Sequence, residues 1–484
     1  MSPSPATLIA IDLGASSGRV IVGTLADGRL SLGEVHRFEH APRMSGGALR
    51  WDWRAIREGV RAGLDAVATE GAIAGVSCDS WAQDFGLLDA HGRLLAEPVS
   101  YRDGRTAGMP QSFADIIAPD DLVRRVGSTA APIIALCQLR ALAQREPDTL
   151  ARASRLLHLA DLIHHELCGA QCTDRTMATA SGLRSLATGA WDVELVDALG
   201  IPPHILPEAV EEERVIGEAQ NGALAGVPVI AGAGHDTAAA SVLCTDDRHA
   251  FLSCGTWSML GCLSDEPIVP AQPARDGLAI LGMVGGRWSL MRSLMGLWPL
   301  QQCMARWRRE GLVAGWAEVI AAAAGEPVCA VIDLDDPRLS APGDMPRAIA
   351  ECCRATRQPV PGSPAAMAAM LLHSLALEHG LGVETLERVT GRRFDAIRMV
   401  GGGSANALLC RLSADATGRP VIAGPTEATA AGNLLTQARA LGLSAADDIP
   451  AITERSFRTV CYEPEGALDA TLTERHRDLK GARQ

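Results

Sequence analysis

Residues 8–19 read LIAIDLGASSGR. An apolar run ends on the carboxylate of Asp12, turns over Gly14 to Gly18 and lands on Arg19. Two roles suit it. One is an ordinary hairpin with a solvated arginine. The other is a site for phosphate and a metal ion. A tight Gly turn leaves backbone N–H groups free to form an anion-binding nest. Asp12 at the strand end suits a Mg²⁺ ion, and Arg19 meets phosphate with paired donors. The next apolar run, RVIVGTL, closes the hairpin in either case.

The pattern recurs. HAFLSCGTWSMLGCLS, from His249 to Ser264, is again strand, Gly turn, strand, with Gly255 and Thr256 in the turn. Each hairpin is followed by helical stretches and a later strand set against small residues. The expectation is a duplicated α/β unit, divided into residues 1–244 and 245–484. In the first half, WRAIREGVRAGLDAVATEG places Ile56, Val60, Leu64 and Val67 on one helical face. In the second, Ser363 is an N-cap with Pro364 at the first turn of a long helix. Residues 265–360 carry no regular period.

Composition narrows the function. The 484 residues carry a net charge of -13, which argues against nucleic-acid and anionic-membrane partners. No membrane span is expected, and the start lacks a signal-peptide pattern. Thirteen scattered cysteines without a C-x-x-C pair fit reduced thiols in a cytoplasmic protein. The sequence holds a single lysine, Lys480. A Walker P-loop, a protein-kinase strand lysine and a Schiff-base lysine are therefore excluded unless the tail folds into the site.

Three further stretches carry candidate chemistry. Gly401-Gly402-Gly403-Ser404-Ala405-Asn406 follows a strand and lets a flat group approach the backbone; a helix-entry turn is the plain alternative. Gly232-Ala233-Gly234-His235-Asp236-Thr237 offers Asp236 either as an N-cap or as a base toward a substrate hydroxyl. Its broken glycine pattern argues against a dinucleotide turn. Asp79-Ser80-Trp81-Ala82-Gln83-Asp84 combines carboxylates, an amide and an indole, a set suited to a sugar or to a half-buried strand end. His158, Asp161, His165 and Cys168 share a helix, where a packed or solvated face outweighs metal ligation.

In combination these stretches resemble the FGGY carbohydrate kinases, over about residues 8 to 440. The motifs that carry the likeness are DLGASSGRV, YRDGRT at 101–106, the His-Asp-Thr turn, GTWS at 255–258, MGLW at 295–298, the Gly-Gly-Gly turn and VIAGPTEATAAGN at 421–433. The resemblance implies two actin-like (ribonuclease H-like) domains with ATP and sugar in a central cleft. It implies Asp236 as catalytic base. It places ATP at Ala15, Ser16, Ser17, Gly18, Arg19, Gly255, Thr256, Gln301, Gly401, Gly402, Gly403 and Asn406. It gives Mg²⁺ to Asp12, and the sugar to Trp81, Ala82, Gln83, Asp84, His235, Thr237 and Ser293. The implied reaction is phosphorylation of a ketose primary hydroxyl by ATP, as a monomer or homodimer. L-rhamnulose comes first, giving L-rhamnulose 1-phosphate, with L-fuculose, L-ribulose or L-xylulose as alternatives. A non-catalytic actin-like ATPase or sugar sensor is the rival class. Kinases acting on L-rhamnulose typically read Trp-Gly-Val-Asp where this chain has Trp81-Ala82-Gln83-Asp84, and carry Asn where it has Ser293.

Overall fold

The computed structural model describes residues 5–67, 72–340 and 343–481. The chain forms two compact units. The first contains residues 1–245, 264–290 and 428–457; the second contains 246–263, 291–427 and 458–484. Each unit draws on more than one stretch of the chain.

The first unit is built on a six-stranded sheet. Its strand order is Arg214–Glu218, Pro228–Ala231, Ile73–Ser80, Ala6–Leu13, Ser17–Ala26, Arg29–Glu39. The last three strands form an antiparallel meander. Ile73–Ser80 lies parallel to both Ala6–Leu13 and Pro228–Ala231. The central strand is apolar from Leu8 to Ile11 and fully buried there, as expected where both sheet faces are covered. Register places Asp12 opposite Arg19 on one neighbour and opposite Asp79 on the other. The amphipathic helix Trp53–Val67 buries Ile56, Val60, Leu64 and Val67, the face read from the sequence.

The helix Ala428–Ala440 belongs to this unit although it comes late in the chain. Nearly every side chain along it is buried. Gly432 makes this packing possible: a Cβ there would stand 1.8 Å from the carbonyl oxygen of Ala239 in helix Asp236–Ser241.

In the second unit the strands run in the order Trp288–Met295, Trp257–Ser264, His249–Cys254, Ala396–Val400, Val421–Ala423, Val460–Tyr462. Again a hairpin leads into two parallel strands and an antiparallel edge. The helix Pro364–Thr390 starts at Ser363, whose hydroxyl accepts from the Ala366 N–H at 3.0 Å, and ends at Gly391 with φ 68°. Among the described residues it alone is long and apolar enough to cross a membrane, and 83% of its most apolar window is buried in the protein. The stretch 265–360, which has no clear period, contains strands Leu278–Gly282 and Trp288–Met295 and helices Trp298–Arg309, Trp316–Ala323 and Met345–Ala355.

Candidate active site

In the first unit, three strand ends bring the candidate residues together. The hairpin turn is closed by Gly14 N–H donating to the Ser17 carbonyl at 3.1 Å. Beside it, Arg19 and Asp12 form an ion pair across the hairpin. The adjacent strand end is tied to the Gly234 turn: Ser80 N–H donates to the Gly234 carbonyl at 2.8 Å. Gly234 N–H in turn donates to Asp174 Oδ2 at 3.0 Å. A Cβ at Gly234 would lie 2.3 Å from that oxygen and would displace the Asp174 carboxylate.

Asp236 is the first residue of helix Asp236–Ser241, with His235 at the N-cap position, one residue off the N-cap reading of Asp236. Its Oδ1 accepts from Thr237 N–H at 2.6 Å and from the Thr237 hydroxyl at 3.2 Å. His235 Nε2 stands 3.5 Å from the same oxygen. The carboxylate is recessed but open on one side, with 32% of the side chain exposed. Burial raises its pKa to about 6, against the opposing Thr237 hydrogen bonds. Burial lowers His235 to about 4, so its ring is neutral near pH 7.

Three carboxylates act on one another here. Asp79 is raised well above the usual range by burial and then by Asp12, with Asp236 adding to it. Asp12 is raised by burial and by Asp236, while Arg19 pulls it down. Asp79 Oδ2 accepts from Asn433 Nδ2 at 2.6 Å. Gln437 Nε2 donates to both Asn433 Oδ1 (2.7 Å) and the Ile9 carbonyl (2.8 Å), which fixes the Asn433 amide. Asp79 Oδ1 is buried without a partner. A close group of carboxylates with one buried oxygen that lacks a protein partner suits a divalent cation.

Asp84, a candidate sugar ligand, has both oxygens engaged by protein. Oδ2 accepts from the indoles of Trp51 (2.6 Å) and Trp81 (2.9 Å), and Oδ1 from Gln138 Nε2 (2.9 Å). Arg105 donates to Gln138 Oε1 at 2.7 Å. Burial raises Asp84 to about 6 despite these three donors. Its role in this geometry is to fix two indole rings. Ala82 is buried, and the Gln83 Oε1 atom is buried without a partner.

The second unit joins another part of the candidate set. Thr256 Oγ1 donates to Gln301 Oε1 at 3.2 Å, 45 residues away in sequence. The Gly255 turn docks on the MGLW segment: Leu297 N–H donates to the Gly255 carbonyl at 2.8 Å, and Gly296 N–H to the Thr256 carbonyl at 3.2 Å. Gly401 has φ 79°, and Gly403 packs so closely on Cys254 that a Cβ would lie 2.4 Å from its Sγ. A Cβ on Gly402 would meet nothing within 4 Å, so its backbone is open to a ligand. Asn406 caps helix Ala407–Thr417 by accepting from Leu409 N–H at 3.1 Å. Ser293 is exposed on strand Trp288–Met295.

The model of the N-terminal domain of the FGGY family of carbohydrate kinases matches residues 7–244, and that of the C-terminal domain matches residues 250–441. The chain belongs to the FGGY family of carbohydrate kinases. This FGGY kinase is 35% identical to a rhamnulokinase of Bacteroides thetaiotaomicron, over 94% of the chain and 95% of the relative. It is 34% identical to a rhamnulokinase of Enterococcus faecalis, over 97% and 96%. A xylulose kinase from Lactobacillus acidophilus matches its fold with a TM-score of 0.79 at 18% identity, covering 99% of this chain and 98% of that one. The enzyme is a sugar kinase with the two-domain, actin-like α/β fold.

Other clusters in this FGGY kinase are structural. Lys480 is held in an ion cluster. Its ammonium lies 2.7 Å from Asp333, 2.7 Å from Asp335 and 2.6 Å from Glu378, the three carboxylates that otherwise have metal-ligand spacing. The His158–Cys168 segment is packed: His158 and Asp161 form the helix-start box, and His165 bonds the Gly92 carbonyl at 3.0 Å. Nine of the thirteen cysteines are buried.

Sequence reasoning assigned no role to Asn433, Asp174, Trp51 or His40. The first three act by holding a candidate residue in place, through hydrogen bonds between segments far apart in the chain. A single sequence carries no local signal for such contacts.

Proposed function

We propose that this enzyme transfers the γ-phosphoryl group of ATP to a primary hydroxyl of a ketose, with L-rhamnulose as preferred acceptor and L-rhamnulose 1-phosphate as product. L-fuculose, L-ribulose and L-xylulose are the alternatives. The observation that carries this reading is Asp236: a recessed, partly open carboxylate with a pKa near 6. It lies on a turn hydrogen-bonded to the strand end that bears Trp81 to Asp84. A base poised near the working pH is what removal of a hydroxyl proton needs. The buried unpartnered atoms of that region, His235 Nδ1 and Gln83 Oε1, are hydrogen-bonding groups suited to a polyol.

Asp236 takes the hydroxyl proton as that oxygen attacks the γ-phosphorus in line. His235 and Thr237 hold the acceptor beside it. The Gly14–Gly18 turn with Arg19 in the first unit, and the Thr256–Gln301 pair and Gly401–Gly403 turn in the second, each offer backbone N–H groups, hydroxyls or guanidinium suited to a nucleotide. Positioning and charge neutralisation supply most of the acceleration in phosphoryl transfer. Asp12, supported by Asp79, would hold Mg²⁺, which neutralises phosphate charge when bound. The rhamnulokinase names of the 34–36% identical relatives favour L-rhamnulose among the ketoses.

The test is a coupled ADP-release assay with Mg·ATP across L-rhamnulose, L-fuculose, L-ribulose, L-xylulose and glycerol. Highest kcat/KM on L-rhamnulose is expected. Turnover of no ketose refutes the proposal, and preference for another ketose refutes the L-rhamnulose assignment.

A further inference from the structure

We infer that His40, which no motif singles out, determines acceptor specificity by hydrogen-bonding a sugar hydroxyl through its imidazole. The inference rests on the reading of a sugar site at Asp236.

His40 follows the strand Arg29–Glu39 and is 8% exposed. Its ring stacks on Trp81, with centroids 5.6 Å apart and planes at 25°, and meets the edge of Trp51 at 5.4 Å. Those two indoles are the ones pinned by Asp84, so the imidazole sits against a rigid wall. Trp81 directly follows Ser80, which pairs with the turn carrying His235 and Asp236. The position of His40 is thus tied to the same strand end as the candidate base.

Both ring nitrogens of His40 are buried, and neither makes a hydrogen bond of normal geometry. Two other buried histidines of this unit differ: His164 accepts from Cys78 N–H at 3.0 Å, and His158 Nδ1 lies 3.4 Å from the Asp84 carbonyl. Leaving a polar group unsatisfied in dry protein is unfavourable, so such an atom at a binding site points to a ligand partner. Burial holds the His40 pKa down to about 4, with the Gly14 backbone opposing it. A neutral imidazole has one donor and one acceptor, which matches a hydroxyl. Its stacking on Trp81, at the strand end tied to the Gly234 turn, assigns His40 to the sugar.

The experiment compares wild type, His40→Phe and His40→Asn with the four ketoses at saturating ATP. Phe keeps an aromatic ring against Trp81 and removes both nitrogens; Asn keeps a donor and an acceptor. H40F should raise the ketose KM by about 10- to 100-fold and change the kcat/KM ratio between L-rhamnulose and its epimer L-fuculose. The KM for ATP should stay unchanged, and H40N should recover part of the loss. A second readout uses wild-type enzyme: the His40 ring ¹⁵N resonances, assigned by their loss in H40N, should shift with saturating ketose and not with ADP alone. Sugar KM values and ratios within twofold of wild type in H40F overturn the inference, as does an equal loss for ATP and every sugar. Unmoved ring resonances overturn it even if H40F does not fold. If the wild type turns over no ketose, the kinase reading itself falls; if it does and His40 is silent, only this inference falls.

Discussion

Replacing Gly432 by alanine tests whether the late helix Ala428–Ala440 sets the position of the candidate base. The new Cβ would lie 1.8 Å from the Ala239 carbonyl oxygen and 2.6 Å from its carbon, against a practical minimum of 3.0 Å. The backbones must therefore separate by about 1.2 Å at least, because the obstructing atoms are main chain and cannot rotate away. Ala239 is three residues beyond Asp236 in the same short helix, so the separation is delivered close to the carboxylate. Displacement of a reacting group by about 1 Å costs roughly 100-fold in rate. Overpacking also costs about 1–3 kcal/mol of stability, offset by up to about 1 kcal/mol from the better helix propensity of alanine. The assay is kcat for ketose phosphorylation at saturating substrates, with urea unfolding alongside. The expected result is a kcat reduced by about 100-fold in a protein that still folds. A G432A enzyme with wild-type kcat would refute the argument that this contact holds Asp236 in place.

Three other outcomes are expected. Asp236→Asn should lower kcat by about 10²–10⁴ while ADP binding, followed by calorimetry, persists; in wild type, kcat/KM should fall tenfold per pH unit below the base's pKa of about 6. Sugar-independent ATP turnover surviving in D236N would favour the sensor class. Asp84 has a folded-state pKa of about 6 against 3.8, so the folded state keeps a proton that the unfolded chain has lost, and stability falls as pH rises from about 4 to about 6. Urea unfolding at pH 4 and pH 7 should therefore show Asp84→Asn gaining on wild type by about 3 kcal/mol across that window, and a parallel pair of curves would refute this. Asn433→Leu deprives Asp79 of its donor inside dry protein. It should lower unfolding free energy by about 1–3 kcal/mol, and an unchanged value would show that the bond is dispensable.

The hairpins were legible because their signals are local: an apolar run, a Gly turn and a second run within about twenty residues. The register that sets Asp12 beside Asp79 was not, since it depends on pairing strands some sixty residues apart. The helical stretch PTEATAAGNLLTQARALG was readable as a helix, but not as part of the first unit; Gly432 against Ala239, Gln437 against Ile9 and Asn433 against Asp79 place it there. Asp84 shows the same limit at the candidate site. Its residue type suits a sugar ligand, yet two indoles and an amide from elsewhere in the chain occupy its oxygens. The 265–360 stretch stayed unread because short strands and helices alternate there between Gly and Pro breaks, so no period builds up.

The ion cluster around Lys480 turns helix Ala470–Gly481 into a reporter. As the single lysine in the sequence, it offers a lysine-specific protease one cleavage point, and its ammonium is held by Asp333, Asp335 and Glu378. Cutting there requires the ammonium to leave all three carboxylates and enter the protease pocket. The rate of cleavage after Lys480 therefore measures how often that helix undocks, without a label.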